Sequence, residues 1–492
     1  MGTQIIKLLN SYGFDAWLCG GTARDIYLGI EPSGFDVAIR ANLKELRAAL
    51  TPKILKINQY DTSVTIKYKD REYCLYPLKK VKLQNTYYNY SFTNSLEDDA
   101  ASKDFTINAI YFNPLKDEWI DFYDGIKDLN NKTIRFVGDP YQRILESKVR
   151  LLRCISLCSI LGKSWKIDDA SLKAVQDNKL KIAGSPSKQI FNEFKKVFTR
   201  CEAPSRFFSL MVKSRLDEEL FTELSSCIGI EQSNKRKNLD LYQHIMYALD
   251  SVPLNHSNTL LLRTSALLHD IGKPATEVYT DTGMHFYNHE NVGAFVAEKI
   301  LMQWGYPSST IETVVLLIKN HLFDASFRKS EASVKKLVAK VGENNIHNLL
   351  DLRMADRMGC GRPDISMKPV DILRSKVNKL LAKSSPDKIK IKLSNSQIES
   401  IIKKTTDNVD EAVGKVREYL EQKLVIGKLQ NKPQNLRRAV YKINHIRCPL
   451  DKPHLFHTWS EKQKGNADIF PDGRLRCGVF CNFLCDNVEK SK

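Results

Sequence analysis

The chain has 492 residues, of which 75 are Lys or Arg and 57 are Asp or Glu, so its formal net charge is +18. This length allows three or more domains with well-buried cores, and the excess of positive charge favours polyanionic partners whose binding weakens with salt. No apolar run approaches the roughly 20 residues of a membrane span, and the 11 cysteines show no disulfide-scaffold pattern. Composition therefore argues against a membrane-spanning protein and a disulfide-rich secreted one, and predicts a protein of the cytoplasm.

The first predicted elements are an amphipathic helix, a strand, a two-glycine turn and the start of a second helix. Gly20 and Gly21 have no Cβ, so the backbone can turn sharply there and approach a triphosphate. Arg24 can pair with phosphate oxygens, and the N-terminus of the helix favours negative charge. The pattern indicates a nucleotide-binding turn.

The next predicted strand carries Asp36. Side chains two residues apart on a strand point the same way, so an Asp-x-Asp pair there could hold two magnesium ions. In this chain position 34 is glycine, and Glu31 is separated from the strand by Pro32. We therefore expect a metal site with one of two carboxylates missing.

This run resembles class II CCA-adding tRNA nucleotidyltransferases and bacterial poly(A) polymerases, a family of template-independent RNA polymerases. Further segments follow in the family's order, at Arg71–Tyr76, Asp99–Ala109, Ile134–Pro140 and Glu146–Arg153. The resemblance implies Mg²⁺-dependent catalysis by Asp36 and Glu72. It also implies nucleotide binding by a set of nine residues, namely Gly20, Gly21, Arg24, Asp25, Lys103, Asp104, Arg143, Arg150 and Arg153.

Several positions depart from the family pattern. Ser102 and Lys103 replace an arginine pair, and lysine lacks the planar fork of arginine. Ser147 stands where the family has an acid that reads the incoming base, and Ser156 stands where it has a third arginine. Together with Gly34, these changes predict a weakened polymerase site, because each 1.36 kcal/mol of lost transition-state stabilisation is about tenfold in rate.

The middle of the chain is predicted to be helical. From Pro140, apolar residues recur at helical spacing, and residues 136–235 correspond to the all-α neck that, in the resembling family, positions the base and grips tRNA. The charged stretch 232–238 is predicted to be a linker rather than an RNA contact.

Histidines cluster in the following block. All 10 histidines lie at or beyond position 244, and six fall between positions 244 and 321. Their order resembles the HD superfamily of metal-dependent phosphohydrolases, with Lys273 placed to neutralise phosphate charge and His285 outside the ligand register. A transition metal or mixed metal pair could generate hydroxide there. The implied ligands are His244, His269, Asp270, His289, His321 and Asp356.

The C-terminal part begins with lysine-rich helices over residues 366–440, with an expected N-cap near Leu393–Ser396 and an apolar helical face from Val409 to Leu424. The final 52 positions, 441–492, lie outside the family pattern. Their donor spacing predicts a Zn²⁺ ribbon with Cys₃His ligation, similar to primase-type ribbons. The expected ligands are Cys448, His454, Cys477 and Cys481, with His457 and Cys485 as alternatives to His454 and Cys481.

The sequence thus predicts an α+β protein with a mixed-sheet nucleotidyltransferase head and an elongated helical body. The expected boundaries are 1–135 for the head, 136–235 for the neck, 236–365 for the HD domain, 366–440 for the helical tail and 441–492 for the ribbon. The expected activity is transfer of CMP and AMP from CTP and ATP to tRNA 3′ ends. The alternatives are a catalytically retired head that binds tRNA or another structured RNA beside an active HD phosphodiesterase or phosphatase, and a binding protein with neither site active.

Overall fold

The computed structural model describes residues 2–32, 34–50, 55–56, 63–69, 71–84, 87–231, 239–323, 330–361, 366–384, 391–403, 409–425 and 429–443. The linker predicted at 232–238 lies outside these residues. So do all the expected and alternative zinc ligands, Cys448, His454, His457, Cys477, Cys481 and Cys485. The chain forms two compact units, Met1–Lys329 with Val341–Arg374, and Ser330–Lys340 with Ser375–Lys492.

The first unit begins with a mixed sheet. Its strands and those of the adjoining hairpin are β1 Ala16–Cys19, β2 Phe35–Ile39, β3 Leu55–Lys56, β4 Val64–Tyr68, β5 Arg71–Pro77, β6 Lys79–Gln84, β7 Tyr87–Phe92, β8 Ile110–Asn113 and β9 Glu118–Asp121. Seven of them pair in the order β3-β4-β5-β2-β1-β8-β9, whereas β6 and β7 form a separate hairpin. The β2–β5 pair is parallel and the other pairs of the sheet are antiparallel.

Short helices cover this sheet. They are α1 Thr3–Ser11, α2 Gly20–Tyr27, α3 Leu43–Ala49, α4 Leu96–Ala101 and α5 Gly125–Asn130. Helix α1 is amphipathic, as predicted, and buries Ile5, Ile6 and Leu9. Helix α3 starts with a capping box in which Asn42 and Glu45 satisfy each other's backbone N–H groups. Strand β1 is buried along its whole length, so it forms the centre of the head.

A helical segment follows the head. It contains the short strands β10 Thr133–Ile134 and β11 Lys166–Ile167, and the helices α6 Pro140–Glu146, α7 Arg150–Ile160, α8 Asp169–Asp177, α9 Ser187–Arg200, α10 Ser205–Lys213, α11 Asp217–Leu220 and α12 Thr222–Ser225. Asp139 caps α6, with Pro140 at the first helical position. Because β10 pairs with β11, backbone hydrogen bonds cross the boundary expected at residue 135.

The next elements hold the clustered histidines. They are α13 Leu241–Asp250, α14 Thr259–Leu268, β12 Glu277–Thr280, β13 Gly283–Phe286, α15 His289–Gln303, α16 Ser308–Asn320, α17 Glu331–Val341 and α18 Glu343–Gly359. Trp304 at the end of α15 stacks on Phe194 of α9 with ring centroids 3.9 Å apart. One buried apolar cluster runs from Ile5 in the head to Ile318 in α16, so head, neck and histidine-bearing helices share a core.

The chain continues with α19 Lys368–Ser384, α20 Asn395–Ile402, α21 Val409–Val425 and α22 Pro433–Ile443. Ser394 caps α20 in a capping box with Gln397, which confirms the expected N-cap. Val413, Val416 and Leu420 are buried in the core of the second unit, as the helical spacing predicted. Among the described residues, no helix is both long and apolar enough to cross a membrane.

Candidate active sites

The two-glycine turn places the start of α2 directly beside the carboxylate of β2. Gly20 has a φ of +61°, a conformation that residues with a Cβ rarely adopt. A Cβ built on Gly20 would lie 3.6 Å from Oδ2 of Asp36. A side chain at this position would therefore contact the carboxylate, and glycine leaves that space open.

Thr22, which the sequence analysis did not single out, fixes the beginning of β2. Its buried hydroxyl donates to the carbonyl oxygen of Gly34 at 3.0 Å and accepts from the backbone N–H of Asp36 at 2.7 Å. The hydroxyl thus holds the main chain on both sides of Phe35, between the position of the missing acid and Asp36. The sequence signal that could have identified this residue was a threonine two positions after Gly20, within the turn.

The parallel pairing of β2 and β5 sets the positions of the acids. Asp36 lies opposite Cys74, so Glu72, two residues earlier on β5, belongs to the same face of the sheet. Glu72 and Gly34 are exposed, and a Cβ on Gly34 would meet nothing within 4 Å. Burial raises the pKa of Asp36, and this rise is opposed by the charges of Lys103 and Arg24. The head therefore offers Asp36 and Glu72, with room for a third carboxylate at position 34.

A hydrogen-bonded chain connects two of the predicted nucleotide-binding arginines. Arg24 donates to Asn108 Oδ1 at 2.9 Å and also pairs with Asp25 at 2.7 Å. Asn108 Nδ2 donates to Asp104 Oδ1 at 3.1 Å, and Asp104 Oδ2 accepts from Arg153 at 3.0 Å. Asn108 belongs to the motif but was not predicted as a site residue.

The charge of Asp104 is set by this chain. Burial raises the pKa of Asp104, but Arg153 and Arg150 outweigh burial and hold that pKa well below its usual range. The carboxylate is therefore ionised throughout the neutral range and keeps its arginine partner in place.

Arg150, expected to bind nucleotide, is 5% exposed and occupied by contacts within the chain. It donates to Glu146 Oε2 at 2.6 Å, to the Ser102 carbonyl at 3.0 Å and to the Arg143 carbonyl at 2.8 Å. Arg143 itself pairs with Glu146 and donates to the Ala101 carbonyl. These two arginines join the head to α6 and α7, and their contact with a nucleotide stays a prediction.

Lys103 is likewise anchored within the head. Its ammonium pairs with Asp99 Oδ2 at 2.9 Å, and Asp99 also accepts from the Tyr111 hydroxyl at 2.7 Å. The lysine therefore keeps a positive charge at the family's arginine position, with its direction set by a buried acid.

A basic cavity adjoins Arg153 on the neck. It has a volume of about 280 Å³ and is lined in part by Lys195, Lys196 and Arg200 of α9. The buried carboxylate of Glu193 accepts from Arg153 at 3.1 Å and from Ser156 at 2.7 Å. Glu193 was not predicted, because it lies 37 residues after Ser156 in the sequence.

The second site is a buried cluster of imidazoles and carboxylates, carried by α13, α15, α18 and the residues that directly follow α14 and α16. All six predicted ligands belong to it, in two groups within which the donor atoms lie no more than 4.8 Å apart. The groups share Asp270. One contains His244, His269, Asp270 and Asp356, and the other contains Asp270, His289 and His321.

The two oxygens of Asp270 face the two groups. Oδ2 lies 3.2 Å from His244 Nε2 and 3.3 Å from His269 Nε2. Oδ1 lies 3.2 Å from His289 Nε2 and 3.5 Å from His321 Nε2. This arrangement fits a carboxylate that bridges two cations, which the linear order of ligands could not reveal.

Backbone contacts orient the imidazoles. The Nδ1 atoms of His269, His289 and His321 lie 2.8, 2.7 and 2.7 Å from the carbonyl oxygens three residues earlier. Such bonds direct Nε2 toward the cluster and are typical of metal-ligating histidines. Nε2 of His289 and Nε2 of His321 are buried and make no hydrogen bond. The residues therefore fit bound metal.

The electrostatics of the cluster agree with this interpretation. Burial lowers the pKa of His244, but hydrogen bonds to Asp270 and Asp356 outweigh burial and raise that pKa to about 10. Burial raises the pKa of Asp270, but His269 and Lys273 outweigh it and hold that pKa well below its usual range. Without metal, Asp270 and Asp356 thus favour the protonated imidazole of His244.

Lys273 and His285 occupy different positions relative to the cluster. Lys273 is buried and its ammonium lies 2.5 Å from Asp270 Oδ2. His285 lies outside both donor groups, as expected; it contacts Thr282 Oγ1 at 2.8 Å and stacks on Tyr287.

Two family models match this chain. Residues 16–135 match the poly A polymerase head domain, and residues 236–358 match the HD domain. The CCA-adding enzyme of Pediococcus pentosaceus is 29% identical over 222 residues, which cover 44% of this chain and 54% of that one. Poly(A) polymerase I of Haemophilus influenzae is 26% identical over 240 residues, covering 45% and 51%. The chain spans about half the length of these curated relatives.

Solved structures extend the similarity of fold. The CCA-adding enzyme of Bacillus stearothermophilus in complex with CTP superposes with a TM-score of 0.61 at 18% identity, covering 90% of this chain and 97% of that one. A tRNA nucleotidyltransferase complexed with a primer tRNA and an incoming ATP analog gives a TM-score of 0.51 at 20% identity, covering 78% and 100%. The predicted α+β class, a mixed-sheet head followed by a helical body, is confirmed.

Proposed function

We propose that this chain, whose residues 16–135 match the poly A polymerase head domain and whose residues 236–358 match the HD domain, is a tRNA nucleotidyltransferase of the family of CCA-adding enzymes and bacterial poly(A) polymerases. It transfers CMP and AMP from CTP and ATP to tRNA 3′ ends, in the cytoplasm. The observation that carries the proposal is the juxtaposition of the Gly20 turn, the Asp36 carboxylate and the anchored Arg24 in the head.

In the transfer, the 3′-hydroxyl oxygen of the RNA attacks the α-phosphorus, and the bond from that phosphorus to the β-phosphate oxygen breaks to release pyrophosphate. Asp36 and Glu72 are the residues that would hold Mg²⁺, which when bound stabilises charge on the phosphoryl oxygens. With Gly34 in place of an acid, the head has a reduced ligand set and a correspondingly slower reaction.

The polar chain from Arg24 to Arg153 positions the nucleotide. Arg24 beside the turn meets the triphosphate, and Arg153 lies at the other end of the Asn108–Asp104 link. Asp104 holds Arg153 and Asn108 holds Arg24, so both guanidinium groups are oriented before the nucleotide arrives. The basic cavity beside Arg153 takes part of the RNA backbone.

An incorporation assay tests this function. A tRNA lacking its 3′ CCA is incubated with labelled CTP and ATP, and the wild type is compared with Asp36→Asn. We expect labelled tRNA from the wild type and at least a hundredfold less from Asp36→Asn. Equal incorporation by the two proteins would show that Asp36 has no role in the mechanism.

A second function is favoured by the complete donor set around Asp270. We propose that the HD site binds one or two transition-metal ions and hydrolyses phosphate esters at RNA 3′ ends. Bound metal would supply hydroxide at neutral pH and clamp the phosphoryl oxygens. Six ligands of this chain hold the ions, and Lys273 lies where it can neutralise phosphate charge.

Hydrolysis of an oligoribonucleotide that ends in a 2′,3′-cyclic phosphate tests the second function. We expect wild type and Asp36→Asn to open the cyclic phosphate equally, and His269→Ala plus Asp270→Ala to lose the activity. The incorporation assay depends on Asp36→Asn and the hydrolysis assay depends on His269→Ala plus Asp270→Ala. The failure of one proposed function would therefore leave the other standing. Loss of hydrolysis in Asp36→Asn would place the reaction in the head instead.

A further inference from the structure

The hairpin β12–β13 connects the HD cluster to an exposed aromatic surface. In its antiparallel register, Glu277 lies opposite Phe286 and Tyr279 lies opposite Met284. Cross-strand partners and residues two apart share a face, so these four side chains belong to one face of the hairpin. Tyr279 donates to Glu277 Oε1 at 2.7 Å, which agrees with that assignment.

This face begins at the metal ligands. The ammonium of Lys273 lies 2.5 Å from Asp270 Oδ2 and 5.5 Å from the ring centroid of Phe286. His289 Nδ1 lies 2.7 Å from the Phe286 carbonyl oxygen. The Lys273 ammonium therefore lies between the Phe286 ring of the hairpin and the Asp270 carboxylate, which both donor groups share.

The far end of the face is open. Tyr279 is 73% exposed, the largest exposure among the exposed large apolar side chains of the described residues. Its hydroxyl is fixed on Glu277, so the ring is held in one orientation although solvent surrounds it. The described part of the chain leaves the ring largely uncovered, so packing does not explain its position.

His285 and Tyr287 support the hairpin from the other side. Their rings stack with centroids 5.3 Å apart at 13°, and His285 pairs in register with Val278, on the face opposite Tyr279. The stack stiffens the strand end that leads into His289. This stack gives a structural role to His285, which lies outside both donor groups of the metal site.

We propose that the Tyr279 and Phe286 face is a nucleobase-binding subsite of the HD site, which stacks the 3′-terminal base of an RNA whose terminal phosphate lies at the metal ligands. This inference rests on the second proposed function. Aromatic stacking accepts any base, and it contributes binding without sequence preference. Lys273 lies between Phe286 and Asp270, so its ammonium is the cation between the base position and the metal ligands.

A short oligoribonucleotide ending in 2-aminopurine riboside 3′-phosphate tests this subsite. The 3′-phosphate prevents extension by the head, and stacking quenches 2-aminopurine fluorescence, so binding is read from the fluorescence on mixing, before the HD site hydrolyses the phosphate. We expect Tyr279→Ala to weaken binding by at least fivefold, because the substitution removes the ring on which the base stacks. Tyr279→Phe keeps the ring and retains most of the affinity. Phe295→Ala removes an exposed ring on a different element, α15, and leaves binding unchanged.

Competition with unlabelled oligonucleotides separates base from phosphate. One competitor ends in adenosine 3′-phosphate and the other in an abasic ribose 3′-phosphate. Tyr279→Ala should weaken the first competitor and leave the second unchanged. Equal effects on both competitors, or no effect on either, would overturn the subsite. Binding that depends on Tyr279 in a protein without hydrolytic activity would reject the hydrolase and keep the subsite.

Discussion

The hydroxyl of Thr22 accepts a hydrogen bond of 2.7 Å from the backbone N–H of Asp36 and donates one of 3.0 Å to the carbonyl oxygen of Gly34. The first turn of α2 and the first residues of β2 are thereby joined by one buried side chain. The link therefore helps to fix the position of the Asp36 carboxylate relative to the glycine turn.

Thr22→Val should lower the rate of nucleotide incorporation about tenfold. The substitution keeps the shape of the side chain but removes the hydrogen-bond partner of the part-buried Asp36 N–H and of the Gly34 carbonyl oxygen, which costs about 1–3 kcal/mol. Steady-state kinetics with CTP would measure the effect, which should fall mainly on kcat. Thr22→Ser restores the hydroxyl and is the control. A Thr22→Val enzyme with wild-type kcat would show that the link does not position Asp36.

Gly34→Asp should raise Mg²⁺-dependent incorporation at least tenfold. A Cβ at this position meets nothing within 4 Å, and the side chain would share a face with Asp36. A second carboxylate supplies the missing metal ligand, and several kcal/mol of transition-state stabilisation are at stake. Gly34→Asn, which fits the same space without the charge, is the matched control. Equal rates for wild type, Gly34→Asp and Gly34→Asn would show that position 34 does not limit the reaction.

Metal binding at the HD site should strengthen as pH rises. In the metal-free protein the pKa of His244 is raised to about 10 by Asp270 and Asp356, despite the opposing effect of burial. A ligating imidazole must be neutral, so at neutral pH the metal displaces a proton. Between pH 6.5 and 8.5, the apparent Kd for Zn²⁺ or Mn²⁺ should fall about tenfold per pH unit for each proton released.

Isothermal titration calorimetry in buffers of different ionisation enthalpy would count these protons. His256→Gln, which changes a histidine outside both donor groups, should not alter the count. A Kd independent of pH across this window would mean that His244 is already neutral in the metal-free protein.

Gly272→Ala should destabilise the HD helices and lower their metal content. A Cβ on Gly272 would lie 2.4 Å from the Gly293 nitrogen and 2.4 Å from the His289 carbonyl oxygen, and both atoms are backbone. Overpacking of this kind costs about 1–3 kcal/mol. Thermal unfolding and bound-metal analysis would measure both effects. Gly414→Ala, whose Cβ meets nothing within 4 Å, should not lower stability. An unchanged melting temperature and metal content in Gly272→Ala would contradict this packing argument.

The resemblance to the HD superfamily implied the six residues that the structure brings together around Asp270. It did not predict that Asp270 is shared by the two donor groups, since the sharing depends on how the ligand-bearing helices α13, α14, α15, α16 and α18 pack. In the head, the turn and Asp36 were predicted from local geometry. The Glu193–Arg153 contact was not, because it joins residues 40 apart on different helices.

Arg150 illustrates a different limit. Its place in the motif suggested nucleotide binding, yet its guanidinium is buried on Glu146 and two carbonyl oxygens. A motif specifies a residue type and a spacing, whereas the partner of a long side chain depends on which groups surround it in the folded chain.

The most direct test of the nucleotidyltransferase account is the mass of a tRNA transcript lacking CCA after incubation with the wild type, CTP, ATP and Mg²⁺. The account predicts products heavier by one C, two C and finally CCA, with the rate increased in Gly34→Asp. An unchanged transcript mass with the wild type and with Gly34→Asp, in Mg²⁺ and in Mn²⁺, would contradict it.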